Sequence, residues 1–406
     1  MSKIVECVPN FSEGRDLNII KQITDQIESV QGAQLVDVDP GESTNRTVVT
    51  IIGAPDAVKE AAFRAIQKAA DLIDMSKHSG GHARFGATDV CPFISVSDVS
   101  MEECVQYARE LGQRVGEELN ISVYLYEHAA ASSERQDLSK VRTGEYEALS
   151  QKLTKPEWKP DFGPTKFNAK SGVTAIGARE FLIAYNINLN TTDRRYANEI
   201  AYEIRERGRW KRTGSSDSPF YYKGQVAYFK DDVFPCGNCD FTGKTFAETA
   251  DHYRQAHGGD LYERYAGIGL DVNNLTGKPV YKDGQFTHLK AIGWVVEDYN
   301  CAQISMNLTN YKITHPYQAL EAARQLATER GIVVTGSEIV GVVPFDCMEI
   351  AGKFYLKRMM KSTDIPARDV VQTAVQAMGL SDVSEFDIDK KVIGLPTQDG
   401  PLALPS

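Results

Sequence analysis

The chain has 406 residues, a formal net charge of −10, 42% hydrophobic and 25% charged residues, the balance of a soluble globular protein with length for two or three domains. That negative balance argues against general affinity for nucleic acid or for an anionic membrane, while leaving room for a local basic pocket that takes a small anion. The start Met-Ser-Lys-Ile-Val-Glu has no basic segment followed by an apolar one, and no apolar run approaches the roughly 18 residues of a membrane span, so a cytoplasmic protein is expected.

Residues 4–8 read as a first strand, and Asn10-Phe-Ser-Glu-Gly14 as a polar turn. Ile20, Ile23, Ile27 and Val30 recur at helical spacing, the mark of one buried helix face. Residues 34–39 and 47–52 are β-branched runs separated by Pro40-Gly41-Glu-Ser, which reads as two strands and a loop. Pro55-Asp56 opens a second helix whose apolar side carries Val58, Ala62, Ala65, Ile66, Ala69 and Leu72.

After that helix comes His78-Ser-Gly-Gly-His82-Ala-Arg84-Phe-Gly86-Ala-Thr-Asp89. Glycine allows close approach of backbone to a ligand and histidine titrates near neutrality, so such a loop is a candidate for chemistry. The plainer alternative is a turn whose histidines cap a helix end. A strand over 91–96 closes the order β-α-β-β-α-β, the split βαβ of ferredoxin-like domains.

A further helix (101–119) and strand (122–126) follow, and then a charged stretch, 132–161, that reads as an irregular helix and linker. The same order restarts with a strand from Phe181, a helix from Thr192 to Arg207 capped by Thr192, strands at 291–296 and 302–308, a helix at 316–330 and a strand at 332–335. The pattern therefore predicts an α+β protein of two ferredoxin-like subdomains, joined near 160–178, with the ligand expected between them. The boundaries are 1–178, 179–350 with an insertion over 209–288, and a helical extension and tail over 351–406.

The insertion has no lasting periodicity but contains Cys236-Gly-Asn-Cys239, then His252, then His257. Two cysteines and two histidines at these intervals have the spacing of a tetrahedral zinc site, expected here to be structural and to hold a segment with little apolar content. A DNA-reading finger is disfavoured, because Lys244 and Arg254 are outnumbered by Asp240, Glu248 and Asp251. A catalytic zinc is disfavoured because four protein ligands leave no open position. The remaining cysteines, Cys7, Cys91, Cys104, Cys301 and Cys347, sit among apolar neighbours as buried thiols do.

Several stretches resemble a known family. Cys7-Val-Pro-Asn-Phe-Ser-Glu-Gly14, Asp37-Val-Asp39 with Ser43-Thr-Asn-Arg46-Thr-Val, the His82 loop with Asp89-Val-Cys-Pro-Phe93, Phe162-Gly-Pro164 with Phe167, Gly177-Ala-Arg179 with the strand from Phe181 to Leu189, Ile304-Ser-Met-Asn-Leu308, and Gly336-Ser-Glu-Ile-Val-Gly-Val-Val-Pro344 are similar to glutamate formiminotransferase, the amino-terminal enzyme of formiminotransferase-cyclodeaminase. The likeness covers residues 1–208 and 289–350. It implies two ferredoxin-like subdomains with a folate tunnel, a homodimer, and transfer of the formimino group of N-formiminoglutamate to tetrahydrofolate. It also implies that a separate cyclodeaminase acts on the product.

By the same resemblance the catalytic histidine is His82, and the folate-contacting stretch is Gly163, Pro164, Thr165, Lys166, Phe167, Asn168, Ala169, Lys170, Ser171 and Gly172. Two departures stand in the histidine loop: Ala83 replaces the family's usual proline, and Ser79-Gly-Gly precedes the histidine. Attack of a ring nitrogen on an amidine carbon needs a base and then an acid, roles one near-neutral histidine fills in turn; His78 is expected to be a supporting residue. Arg46, Arg84 and Arg179 are candidates for the glutamate carboxylates, Asp39 for the cationic amidine, and Asn10, Asn186 and Asn188 for amide hydrogen bonds. Each arginine has a structural ion pair as its alternative, and Asp39 a turn-forming one. At the level of function, the alternative to a transferase is a non-catalytic folate- or zinc-binding module.

Overall fold

Pro9 has no backbone N–H to give to a sheet, and the first strand breaks there. In the computed structural model, which describes residues 3–81, 83–213 and 224–396, the break separates β1 (Ile4–Cys7) from β2 (Asn10–Phe11). Both pieces pair with β4 (Arg46–Gly53) on one side and β5 (Thr88–Ser97) on the other, so they act as one interrupted central strand. β3 (Ala33–Gly41) pairs with β4 in antiparallel register from Ala33↔Gly53 to Gly41↔Arg46. Pro40 and Gly41 thus belong to the strand, and the turn shrinks to the residues between Gly41 and Arg46.

The helices follow their signals. α1 (Leu17–Glu28) is capped by Asp16, whose carboxylate accepts from the amides of Asn18 and Ile19. α2 (Pro55–Leu72) starts with proline in its first turn, and α3 (Met101–Glu118) starts with a reciprocal Ser100/Glu103 capping box. Their apolar faces meet one face of the sheet, where Ile23, Ile66 and Leu111 pack with Val5, Cys7, Ile51 and Phe93. The other face is partly covered by the stretch after β6 (Ser122–Glu127): Val141, Leu149 and Leu153 pack on Val90, Tyr124, Tyr126 and Ala175.

One correction concerns the join. Val173–Ala178 is a wholly buried strand, β7, running parallel to β5 on one side and β6 on the other. A short apolar run without alternation is what a strand buried on both faces looks like, and periodicity alone does not separate it from a linker. The sheet order is β3-β4-(β1, β2)-β5-β7-β6.

The chain divides into two compact units, residues 1–183 with 339–374 and 386–406, and residues 184–338 with 375–385. In the first, Val343–Pro344 pairs in parallel with Val392–Ile393, and Ile52 packs with Val342 and Ile393.

The second unit repeats β-α-β-β-α-β through β8 (Ile183–Leu189), the helix Arg194–Ile204, strands Leu289–Val296 and Cys301–Leu308, the helix Pro316–Glu329 and the strand Val334–Val340. The helix Arg194–Ile204 is capped by Asp193 rather than by Thr192. Both sheets place their four repeated strands in the order second, third, first, fourth. Gly293 admits this helix: a Cβ there would stand 2.2 Å from the backbone nitrogen of Asn198. Among the described residues no helix is long and apolar enough to cross a membrane.

The insertion has more core than its composition promised. Short strand pairs and the helices Phe246–His257 and Leu261–Gly267 enclose Phe229, Phe246, Tyr253, Leu261, Tyr265, Leu275 and Val280. Its aromatic residues supply the apolar surface without any helical or strand period. Buried Arg209 ties it to the helix Arg194–Ile204 through a two-pronged pair with Glu199, at 2.8 Å from each guanidinium nitrogen.

Candidate functional site

The loop between α2 and β5 is fastened to the turn between β3 and β4 through residues 78–81. Gly81 N donates to Ser43 O at 3.1 Å, the Asn45 amide donates to Ser79 O at 2.9 Å, and a Cβ on Gly80 would stand 2.2 Å from Thr44 O. His78 Nε2 lies 2.9 Å from Asn45 O. His82 lies outside the described residues; its neighbour Arg84 donates to His78 O and forms an ion pair with Glu147. Its guanidinium also stands 5.3 Å from the centroid of the Tyr146 ring. Arg84 thus joins the loop to Tyr146 and Glu147.

The same loop runs beside residues 163–172. Met75 N donates to Lys170 O and Ala87 N to Ser171 O, both at 2.9 Å, and Gly86 bridges Gly172. Two left-handed glycines shape this stretch: Gly163 at φ 78°, where a Cβ would sit 2.1 Å from Ile121 O, and Gly172 at φ 65°, close against Phe85 O. Asn168 Oδ1 accepts from the amides of Lys170 and Ser171, Lys170 Nζ donates to Asp71 O, and Phe167 packs near Tyr146. Pro164 O accepts from Ser122 Oγ and Ala169 O from Tyr146 OH, which leaves Thr165 and Lys166 exposed. The predicted folate stretch and the predicted histidine loop are therefore neighbours.

At the adjacent end of the sheet, Asp89 is 1% exposed and receives two guanidiniums. Arg46 Nη1 stands 2.9 Å from Asp89 Oδ2, and Arg142 donates to the same oxygen. Arg46 also donates to Asn10 Oδ1 through Nε at 2.9 Å and Nη2 at 2.6 Å, while the Asn10 amide donates to Val8 O. Burial pushes the Arg46 guanidinium down to about 10, with Asp89 opposing and Arg142 assisting. Two arginines thus share one carboxylate oxygen.

Asp39 lies inside β3 opposite Val48 and not in a turn. Arg179 follows β7 and acts on Glu6 of β1, a carboxyl only 2% exposed. Burial pushes Glu6 up to about 7 against the pull of Arg179. In the second unit, Asn186 and Asn188 share one polar network: Asn186 donates to Glu338 at 2.8 Å, and Gln303 donates to Asn188 Oδ1 at 2.8 Å and to Glu338 at 3.0 Å. Their spacing of two residues puts both on one face, as a strand requires.

Cys236, Cys239, His252 and His257 come together, with ligand atoms all within 4.8 Å of one another. Cys239 Sγ is 3.1 Å from His252 Nε2 and Cys236 Sγ is 3.6 Å from His257 Nε2. Phe241 stacks on His252 at 4.0 Å, and Lys211 Nζ donates to the carbonyls of Cys236 and Cys239 at 2.8 and 2.6 Å.

Sequence reasoning missed Asn45, Glu6 and Arg142. Glu6 carried a signal, a charge inside an apolar strand. Arg142 carried none, since its partner lies 53 residues away.

Fold and site together define an α+β protein in which glycine-rich loops and a half-buried arginine cluster gather at one end of a mixed sheet. Residues 4–179 match the formiminotransferase domain, N-terminal subdomain, and residues 259–397 match the formiminotransferase domain. A glutamate formimidoyltransferase of Thermoplasma acidophilum is 37% identical over 356 residues, covering 87% of this chain and 92% of that one. The protein of that name from Streptococcus pyogenes serotype M1 is 32% identical, covering 88% of this chain and 94% of its own. The chain belongs to the formiminotransferase family. The formimidoyltransferase-cyclodeaminase of Dictyostelium discoideum is 39% identical over 98% of this chain, which spans 61% of that protein's length.

Proposed function

We propose that this chain transfers the formimino group of N-formiminoglutamate to tetrahydrofolate, giving 5-formiminotetrahydrofolate and L-glutamate in histidine degradation. Family membership supports the reaction class. The observation that carries the assignment to this site is the hydrogen-bonded pairing of residues 163–172 with the loop that holds position 82.

In this reading the folate lies against residues 163–172, and its ring nitrogen attacks the amidine carbon. His82 takes the proton from the attacking nitrogen as the tetrahedral intermediate forms. As the bond from carbon to the glutamate nitrogen breaks, His82 returns that proton to the departing amine. The Arg46 cluster holds a glutamate carboxylate through planar forks, and Arg179 serves as a second anion partner. Asp39 orients the amidinium, and Asn186 and Asn188 offer fixed amides. Assay of the purified protein with both substrates tests the reading.

The fold reading is two ferredoxin-like subdomains, supported by the strand order the two sheets share. We further propose a structural zinc ion on Cys236, Cys239, His252 and His257. Tetrahedral zinc holds sulfur and nitrogen ligands roughly 3.5 Å apart, from bond lengths of about 2.3 and 2.0–2.1 Å. The separations of 3.1 and 3.6 Å agree with that, and the two-thiol, two-imidazole set is the donor chemistry zinc prefers. Bound there, zinc would supply cross-linking only. A homodimer, and a separate cyclodeaminase acting on the product, complete the proposal. A non-catalytic folate- or zinc-binding module predicts binding without turnover.

A further inference from the structure

A line of contacts runs from inside the 138–167 covering stretch to Arg46. Its first member is Lys152, a cation only 6% exposed. Lys152 Nζ donates to Val141 O and, at 3.3 Å, to Thr143 O, and it stands 3.9 Å from the centroid of the Trp158 ring. Among the described residues no carboxylate pairs with it. An ammonium buried on backbone carbonyls and an aromatic face is costly, and burial, assisted by Arg135 and Lys155, pushes it down to about 8. A methionine of similar length would fill the same space without that cost.

What the ammonium holds is specific. Val141 and Thr143 flank Arg142, so Lys152 fixes the peptide on either side of that arginine. Arg142 then donates to Asp89, whose other guanidinium partner is Arg46. Arg142 Nε is buried without a hydrogen-bond partner. The Arg46 and Arg142 side chains keep 13% and 16% of their surface exposed, whereas Asp89 keeps 1%. Arg142 thus keeps an unsatisfied donor, and both guanidiniums keep some exposed surface, which suit a second carboxylate.

We propose that Arg142 joins Arg46 in binding a carboxylate of the formimino donor, and that Lys152 is the positioning residue that holds Arg142 in place. This rests on the transferase reading. The carboxylate assigned is that of the donor, not of the folate tail.

The test is a double-mutant cycle on the full chain with Lys152→Met, Arg142→Gln and the pair, following formimino transfer. Loss of one charge-assisted contact predicts a rise in KM for N-formiminoglutamate of about tenfold or more in each single variant. The fall in kcat and the change in KM for tetrahydrofolate should both be smaller, and the pair should match Arg142→Gln alone. Lys152→Arg should recover part of the loss. Additive effects, or a fall in kcat with KM for the donor unmoved, would overturn the proposal. Should Lys152→Met not fold, Arg142→Lys carries the same KM-against-kcat test.

Calorimetric binding of L-glutamate separates this inference from its parent. A wild-type chain that binds glutamate about tenfold more tightly than Arg142→Gln, yet turns nothing over, sinks the transferase reading alone. A chain that turns over, with Arg142→Gln and Lys152→Met indistinguishable from wild type, sinks this inference alone.

Discussion

His78 Nε2 lies 2.9 Å from the backbone carbonyl oxygen of Asn45. A carbonyl only accepts, so Nε2 carries the hydrogen, and Nδ1 is buried without a hydrogen-bond partner. Burial moves the ring's pKa down, against the bond to the Asn45 carbonyl. Asn45 itself sits at φ 50°, a region asparagine tolerates better than most residues. Its side chain accepts from Gly14 N at 3.0 Å and donates to Ser79 O at 2.9 Å. One residue thereby joins the loop after β2, the β3–β4 turn and the histidine loop.

Removing that knot should cost stability in a definite order. Asn45→Ala loses both side-chain bonds and, with them, asparagine's tolerance of the left-handed region, for about 2–4 kcal/mol in all. Asn45→Gly keeps the backbone conformation and should lose less. Urea unfolding of the three proteins checks the order. An alanine variant as stable as wild type would remove Asn45 from the account.

Glu6 gives a pH signature. Its carboxyl is raised from the ordinary 4.5 to about 7, so between those values the folded state holds a proton that the unfolded state has released. Stability therefore falls as pH rises through that window, and the full cost remains above it. Glu6→Gln should match wild type below the window and exceed it above pH 7 by up to about 3 kcal/mol. Chemical unfolding at both ends of the window reads this, and a difference constant with pH would refute it.

Asp89 is buried between two half-buried guanidiniums. Asp89→Asn removes the carboxylate they share, and a loss of about 3–5 kcal/mol is expected. Thermal unfolding should show it, with partial recovery when Arg142 is changed to Gln in the same chain. Absence of any recovery would mean that the arginines do not share that carboxylate.

Much of this was legible in the sequence because its signals are local. The helix faces and the repeated strand order follow from spacing alone, and the four-residue metal-type set is contained within one short stretch; the cap of the helix Arg194–Ile204 fell one residue away from the one read, on Asp193 instead of Thr192. What was hidden depends on distant partners. The β7 strand has no alternation because both its faces are buried. The insertion core is aromatic and aperiodic. Asn45 stands in the sequence only as one member of the Ser43-Thr-Asn-Arg46 stretch, since its three contacts come from segments far apart in the chain, and the Arg142–Asp89 pair is of the same kind.

For the insertion, elemental analysis of purified protein should find about one equivalent of zinc, falling below half in Cys236→Ser. Chelation should then open the 209–288 segment to protease while the first unit's melting is unmoved. A metal-free chain with an unchanged protease pattern would refute the structural zinc.

The most direct test of the central claim is turnover itself. Purified protein given N-formiminoglutamate and tetrahydrofolate should form 5-formiminotetrahydrofolate, followed by its absorbance. His82→Ala should lower kcat by about 10²–10⁴-fold with folate binding largely kept. A wild-type chain that binds folate without forming product, or a fully active His82→Ala protein, would contradict the account.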